Sequence, residues 1–251
     1  MTSAAVIIPT TGRPSLRKAF DSIVNQSYTN VDPIVVYDGP GAFPLFGNEY
    51  PTFRLPFNTG SGGYCGHRIY GAIPYLLPHD YIFFLDDDNE YHETHVSDCI
   101  RLCESMELDW CYSFREIYEG DQFVCRDECE SLGKWPIWYN TNCGHVDTSC
   151  FCMKRSIAIG ISPLWNQMAH SETNRVTNPD TVIANHLMKH STSFGCTMKF
   201  TVKYRLGSRS ASPRAEFFIK GNSVYRNAYP GGLPWEVPEA ESTPGDKITR
   251  P

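Results

Sequence analysis

The sequence lacks a C-x-x-C pair, a long apolar run, an excess of basic residues and an internal repeat. Each absence excludes a class. No apolar stretch approaches the roughly 18 residues that a membrane-crossing helix needs. The opening MTSAAVIIPTTGRP has no basic n-region, and its apolar run is too short for a secretory signal. The expectation is a chain without a transmembrane segment, in the reducing cytoplasm. Lys and Arg number 22 against 28 Asp and Glu, a net charge of −6, whereas a nucleic-acid partner demands a basic face. Ten cysteines occur, at 65, 99, 103, 111, 125, 129, 143, 150, 152 and 196. Without a secretory signal they do not read as a disulfide framework. Cys99/Cys103 and Cys125/Cys129 are i,i+4 pairs able to approach on one helix face, so a structural zinc is one reading. The simpler one is reduced thiols packed as small hydrophobes.

What is present is an ordinary globular composition. Hydrophobic residues make up 41%, charged residues 20% and aromatics 13% of 251 residues, which excludes disorder over most of the length. That length suits one large domain or two small ones. Ala4–Ile8 is a continuous apolar run, as in a strand buried on both faces. A turn follows at Pro9–Pro14, and Ser15 is placed to cap a helix whose apolar positions are Leu16, Ala19, Phe20, Ile23 and Val24. Ile34–Tyr37 is a second buried strand, so the start reads as a βαβ unit. Phe53–Pro56 suggests a short third strand, Asn58–Gly63 a turn-rich loop, and His67–Leu77 a helix interrupted by Pro74. Tyr81–Leu85 is the clearest strand and runs into Asp86-Asp87-Asp88-Asn89. A helix is predicted over 93–107, strands within 110–125 and 145–155, a helix starting at Asn178-Pro179-Asp180, and a strand over 197–206.

In an open parallel α/β sheet, ligands bind beyond the carboxyl ends of the strands. Three polar signals fall at such ends: Thr10-Thr11-Gly12-Arg13, Asp38, and Asp86-Asp87-Asp88. At an effective dielectric near 20, each close carboxylate pair costs on the order of a few kcal/mol. Such a cluster is either solvated or neutralised by a cation, and carboxylates are hard ligands suited to Mg²⁺ or Mn²⁺.

Val6-Ile7-Ile8-Pro9-Thr10-Thr11-Gly12-Arg13, with Leu16 and Ser22–Tyr28, resembles the opening of family 2-type glycosyltransferases. Val35–Gly39 resembles the second strand of that family and its Asp. Asn58-x-Gly60 with His67–Gly71 resembles its Asn/Gly loop and Arg-containing helix. Phe84–Asp88 resembles its metal-binding D-x-D. The resemblance covers residues 4–100 and fades over 110–230. It implies an α/β GT-A fold, with a Rossmann-like, mostly parallel sheet flanked by helices and a more variable acceptor-binding half. The implied division is residues 1–109 for the nucleotide sugar, 110–232 for the acceptor, and 233–251 as a tail or linker with possible further domains beyond it. The implied activity is metal-dependent, inverting sugar transfer from a nucleoside-diphosphate sugar, a UDP-sugar foremost, to a hydroxyl acceptor such as a glycan.

Carried over by residue, the resemblance implies that Pro9, Thr10, Thr11 and Arg13 line the nucleoside pocket and that Asp38 bonds the base. Arg68 is expected near the base or diphosphate, Asp86 and Asp87 at the nucleotide, and Asp88 with Asp86 at Mn²⁺ or Mg²⁺. The sequence departs from the family pattern after Asp38, where Gly-Pro-Gly follows, and at Arg68-Ile69, where the family has Arg-Asn. The general base implied by the family lies at the start of a helix in the second half, matched by Asp180, with Asp147 in His145–Ser149 as its rival. His170, His186 and His190 are secondary candidates for a metal ligand. Trp135, Trp138 and Trp165 are candidates for stacking on a sugar, and Ser208–Arg214 for a loop over the diphosphate. Two other readings stand: a haloacid-dehalogenase-type phosphatase using Asp86 and Asp88, and a non-catalytic nucleotide-sugar or carbohydrate-binding module.

Overall fold

The computed structural model describes residues 2–41, 46, 50–140, 142–168, 178–190, 193–207 and 213–236. Its first four strands are β1 (Ala4–Thr10), β2 (Val31–Tyr37), β3 (Thr52–Arg54) and β4 (Tyr81–Phe84), laid parallel in the order β3-β2-β1-β4. Every residue of β1 and β4 is buried, which is why these segments are uninterrupted apolar runs rather than alternating ones. Helix α1 (Leu16–Val24) links β1 to β2 and buries Leu16, Ala19, Phe20 and Ile23, one face at helical spacing. Helix α2 (His67–Ala72) ends where Pro74 turns the chain into a 3₁₀ turn at Ile73–Leu76, the interruption expected of that proline.

The second half continues the same sheet. Following β5 (Glu90–Tyr91) and helix α3 (His95–Ser105) come β6 (Trp110–Glu119) and β7 (Gln122–Arg126), turned at Gly120. Strand β8 (Phe151–Lys154) joins β4 to β6, antiparallel to both. After α4 (Arg155–Gly160) and α5 (Pro179–His190), strand β9 (Phe194–Arg205) lies parallel to β6 and pairs β5 on its far side. The result is one nine-stranded mixed sheet. Helix α6 (Ala215–Ala228) packs on β6 and β7. Among the described residues no helix is long and apolar enough to cross a membrane.

Two expectations need correction. Residues 215–228, for which the sequence reading offered no element, form α6, whose buried positions are only Phe218, Gly221 and Tyr225. Residue 233, expected to start a tail, is packed instead. Leu233 is buried, and the Trp235 ring packs tilted against Phe114 and Tyr225 and edge-to-face against Trp135, so the core keeps hold of the chain to 235. Residues 237–251 lie outside the described residues.

Candidate active site

The parallel half brings its three polar strand ends together. At the end of β1, the Thr10 hydroxyl accepts from the Gly12 N–H at 2.9 Å and donates to Asp87 Oδ2 at 2.5 Å. The turn so formed presents Arg13, whose guanidinium forks across Asp87 and Asp88, at 2.9 Å from Asp88 Oδ2. Asp87 is 2% exposed. Burial pushes its carboxyl above the usual carboxylate range, against the pull of Arg13 and Thr10. Asp86 Oδ1 accepts from the buried Tyr70 hydroxyl on α2 at 2.8 Å. Burial, reinforced by the charge of Asp86, keeps that phenol protonated and therefore a donor. Asp88 is partly exposed at the rim. The tip thus carries three carboxylates, of which Arg13 pairs with two.

Asp38, buried beyond β2, is bonded to Thr10 through its N–H and organises the loop expected at 58–63. Its Oδ1 accepts from the N–H and hydroxyl of Thr59 at 2.6 and 2.8 Å, and its Oδ2 from the N–H of Gly60 at 2.9 Å. Glycine at position 60 is required by this approach, because a Cβ there would sit 2.1 Å from the Cys65 carbonyl oxygen and 2.9 Å from Asp38 Oδ2. Arg68 is exposed; it donates to Thr59 O and Asn166 Oδ1 and lies 3.4 Å above the Tyr64 ring. Pro9 is buried and Thr11 is exposed beside the Thr10 turn. The residues expected at the nucleotide therefore form two neighbouring clusters, one at the Asp38 loop and one at the Asp86–Asp88 tip, joined through Thr10.

A third cluster lies beyond β8. Asp180 is the second residue of α5 and is 7% exposed. Its Oδ1 accepts from the Thr181 N–H at 2.8 Å and lies 3.9 Å from His145 Nδ1. Burial raises its carboxyl to about 6; His145 opposes the rise and Asp147 adds to it. His145, Asp147 and Asp180 each bring a ligand-type atom within 4.8 Å of the others. Asp147, however, is already committed. Arg115 Nη1 pairs with its Oδ2, and its Oδ1 accepts from Ser149 N at 2.9 Å. Arg115, 2% exposed, also holds Asp127 at 2.8 Å and Glu130 at 2.6 Å, beneath the Tyr204 ring.

The turn 147–149 connects the clusters. The Ser149 hydroxyl accepts from Asn89 Nδ2 at 3.0 Å and from the Asp86 N–H at 3.4 Å, while Ser149 N bonds Asp147. Tyr70, Asn89, Arg115 and Ser149 were not singled out as site residues in the sequence. Asn89 adjoins the aspartates, and Tyr70 and Ser149 stand within the segments already quoted, but the bonds that bring Tyr70, Arg115 and Ser149 to the site depend on long-range packing. Trp165 is fully buried against Tyr70 and Phe84, a core position rather than a stacking platform. His186 and His190 are exposed, and their rings lie tilted against each other. His170 and residues 208–212 lie outside the described residues.

A family model described as glycosyl transferase family 2 matches residues 5–158. Among solved structures, S. aureus TarS 1–349 in complex with UDP-GlcNAc is similar with a TM-score of 0.61 at 13% identity, over 90% of this chain and 65% of that one. The same TarS fragment with UDP gives 0.56 at 13% identity, over 82% and 61%. TarS itself gives 0.57 at 14% identity, over 95% and 41%. The chain spans less than two thirds of each. No curated protein matches the sequence. The architecture is the GT-A fold, with the Rossmann-like half where the sequence resemblance lay.

Proposed function

We propose that this chain, which belongs to glycosyl transferase family 2, transfers a sugar from a nucleoside-diphosphate donor to a hydroxyl acceptor with inversion. The observation that carries the reading is the 147–149 turn. It ties an acidic tip at the strand ends, suited to a diphosphate with its counter-ion, to Asp147, which lies within 4.8 Å of Asp180, a buried carboxylate of raised proton affinity. Residues 1–109 would serve the donor and 110–232 the acceptor. The solved TarS complexes hold UDP and UDP-GlcNAc, which makes a UDP-sugar the first donor to test.

The donor set fits a divalent cation. The tip is all hard oxygen, its carboxylates outnumber the paired guanidinium, and Asp88 reaches the rim. Asp88 and Asp86 are the residues that would hold Mn²⁺ or Mg²⁺, and such an ion supplies charge neutralisation for a departing diphosphate. Arg13 fixes the tip and Tyr70 orients Asp86. The Asp38–Thr59–Gly60 cluster shapes the wall where a base and ribose would lie, with Arg68 over Tyr64 at its edge.

Asp180 is the general base of this reading. It takes the proton from the acceptor hydroxyl as that oxygen bonds the anomeric carbon, on the face opposite the diphosphate. The bond from that carbon to the diphosphate oxygen breaks, and the nucleoside diphosphate departs with the electron pair. A base of pKa about 6 is mostly ionised at neutral pH and holds a proton more tightly than an exposed carboxylate, which suits the task. Asp147 is unsuited, since Arg115 and Ser149 occupy its carboxylate.

The test is a panel of UDP-, GDP- and dTDP-sugars incubated with Mn²⁺, read as release of nucleoside diphosphate. Release from one donor class, accelerated by acceptor, is expected. Thermal stabilisation by nucleotide without turnover would instead identify a binding module. Inorganic phosphate freed from simple phosphomonoesters would identify a phosphatase.

A further inference from the structure

We propose that Cys99, Cys103, Cys111 and Cys152 form a structural zinc site that clamps α3 onto the seam between the two halves of the sheet. The four thiols come from three elements. Cys99 and Cys103 are one turn apart on the buried face of α3, beside Val96 and Ile100. Cys111 on β6 and Cys152 on β8 are directly paired across the antiparallel ladder beneath them. The sulfurs of Cys103, Cys111 and Cys152 all lie within 4.8 Å of one another. Cys111 Sγ also donates to the backbone carbonyl of Cys99 at 3.5 Å, which sets that turn of α3 against the trio and makes Cys99 the fourth ligand of the proposal.

The geometry suits a single soft ion. Tetrahedral Zn–S bonds of about 2.3 Å place sulfurs about 3.8 Å apart, so a small inward movement of thiols already this close completes the shell. A cluster of several irons and sulfides needs a wider cage. Binding breaks four S–H bonds and forms four Zn–S bonds, and the protons pass to solvent. Packing alone does not require the convergence. Cys150, equally buried on the next turn of chain, takes no part in the cluster, and Cys129 lies against α6. The position also has a use. β6 carries Arg115, β8 follows the 147–149 turn, and α3 follows the aspartate tip, so the ion would hold together the three elements that set the site.

The experiment uses the full chain, purified without a metal-binding tag and dialysed against metal-free buffer. Elemental analysis is expected to find about one zinc per chain. Cobalt exchanged into the protein should give the intense sulfur-to-metal charge-transfer and visible bands of a tetrahedral thiolate site. Cys111→Ser with Cys152→Ser should abolish both signals, whereas Cys125→Ser and Cys143→Ser should leave them intact. The wild-type metal content and cobalt spectrum decide the matter even if the double variant fails to fold. A metal-free protein with ten thiols titratable after denaturation would overturn the proposal, leaving the cysteines as packing groups. So would a Cys111–Cys152 disulfide found by non-reducing mass spectrometry.

Discussion

Asp180→Asn should make the protein more stable and nearly inactive at once. The carboxyl is raised from its ordinary 3.8 to about 6 because folding takes it out of water. That difference is worth about 3 kcal/mol of destabilisation whenever the group is ionised in the folded state. The sign follows from proton affinity. The folded state binds this proton more tightly than the unfolded chain, so protonation favours folding. The contribution is complete below the unfolded value near 3.8 and is lost as pH rises through about 6. Between pH 8 and pH 5 the wild type should therefore gain roughly 1.4 kcal/mol from this residue, and about 3 kcal/mol only below pH 4.

Asparagine resembles the protonated acid in shape and carries no charge, so the variant should lack this pH dependence. Urea unfolding of both proteins at several pH values measures it. The expected result is a variant more stable by up to about 3 kcal/mol at pH 8, with the gap closing toward pH 4. Sugar transfer should fall by about 10²–10⁴-fold while nucleotide binding is retained. Parallel stability curves would refute the raised proton affinity. Wild-type transfer would refute the assignment of the base even if the stability result held.

Asp88→Ala should abolish the dependence of nucleotide affinity on Mn²⁺, measured by calorimetry with and without chelator; an unchanged metal dependence would remove Asp88 from the proposed ion site. Arg115→Met leaves Asp127, Glu130 and Asp147 buried without their shared cation. It should cost about 3–5 kcal/mol in denaturant unfolding at pH 8, with part of the loss recovered at low pH as the carboxylates protonate. A loss below about 1 kcal/mol would mean that the network relaxes into water. Gly60→Ala places a Cβ against the Cys65 carbonyl. It should cost about 1–3 kcal/mol and weaken nucleotide binding several-fold by displacing the loop from Asp38, whereas Ser61→Ala, one residue on and exposed, should do neither.

The parallel half was legible because its signals are local. An apolar run with no polar interruption can only be a strand covered on both faces, and polar residues at its end mark the edge where a ligand approaches. Thr10, Asp38 and Asp86–Asp88 followed from that rule alone. The second half was legible only in pieces. β6 and β9 pair in parallel across some eighty residues, with shifts of register near Phe114, and nothing local announces such a pairing. Arg115 reads as an ordinary charge in a strand of mixed pattern. Its burial depends on three carboxylates from a loop and a turn. Tyr70 stood within a recognised motif, yet its bond to Asp86 depends on how α2 packs against β1. Helix α6 was missed because it buries few residues and has no side-chain cap at Arg214, so neither periodicity nor an end signal marked it.

The buried charges around Arg115 make sense as a means of setting Asp180. A base needs a raised proton affinity without becoming permanently protonated. Burial and Asp147 push the Asp180 carboxyl up, while His145 and Arg115 hold it down. Arg115 acts at a distance because it is itself spread over Asp127, Glu130 and Asp147, so Asp180 feels a partly neutralised field rather than a bare cation. Direct pairing with Arg115 would have pulled Asp180 below 3.8 and left it a weak base, and removal of the guanidinium would have raised it further and kept it protonated near neutrality. With Asp180 as the proposed base, Asp147 has a different use. It intercepts the arginine, and through Ser149 it keeps that balance in register with the aspartate tip.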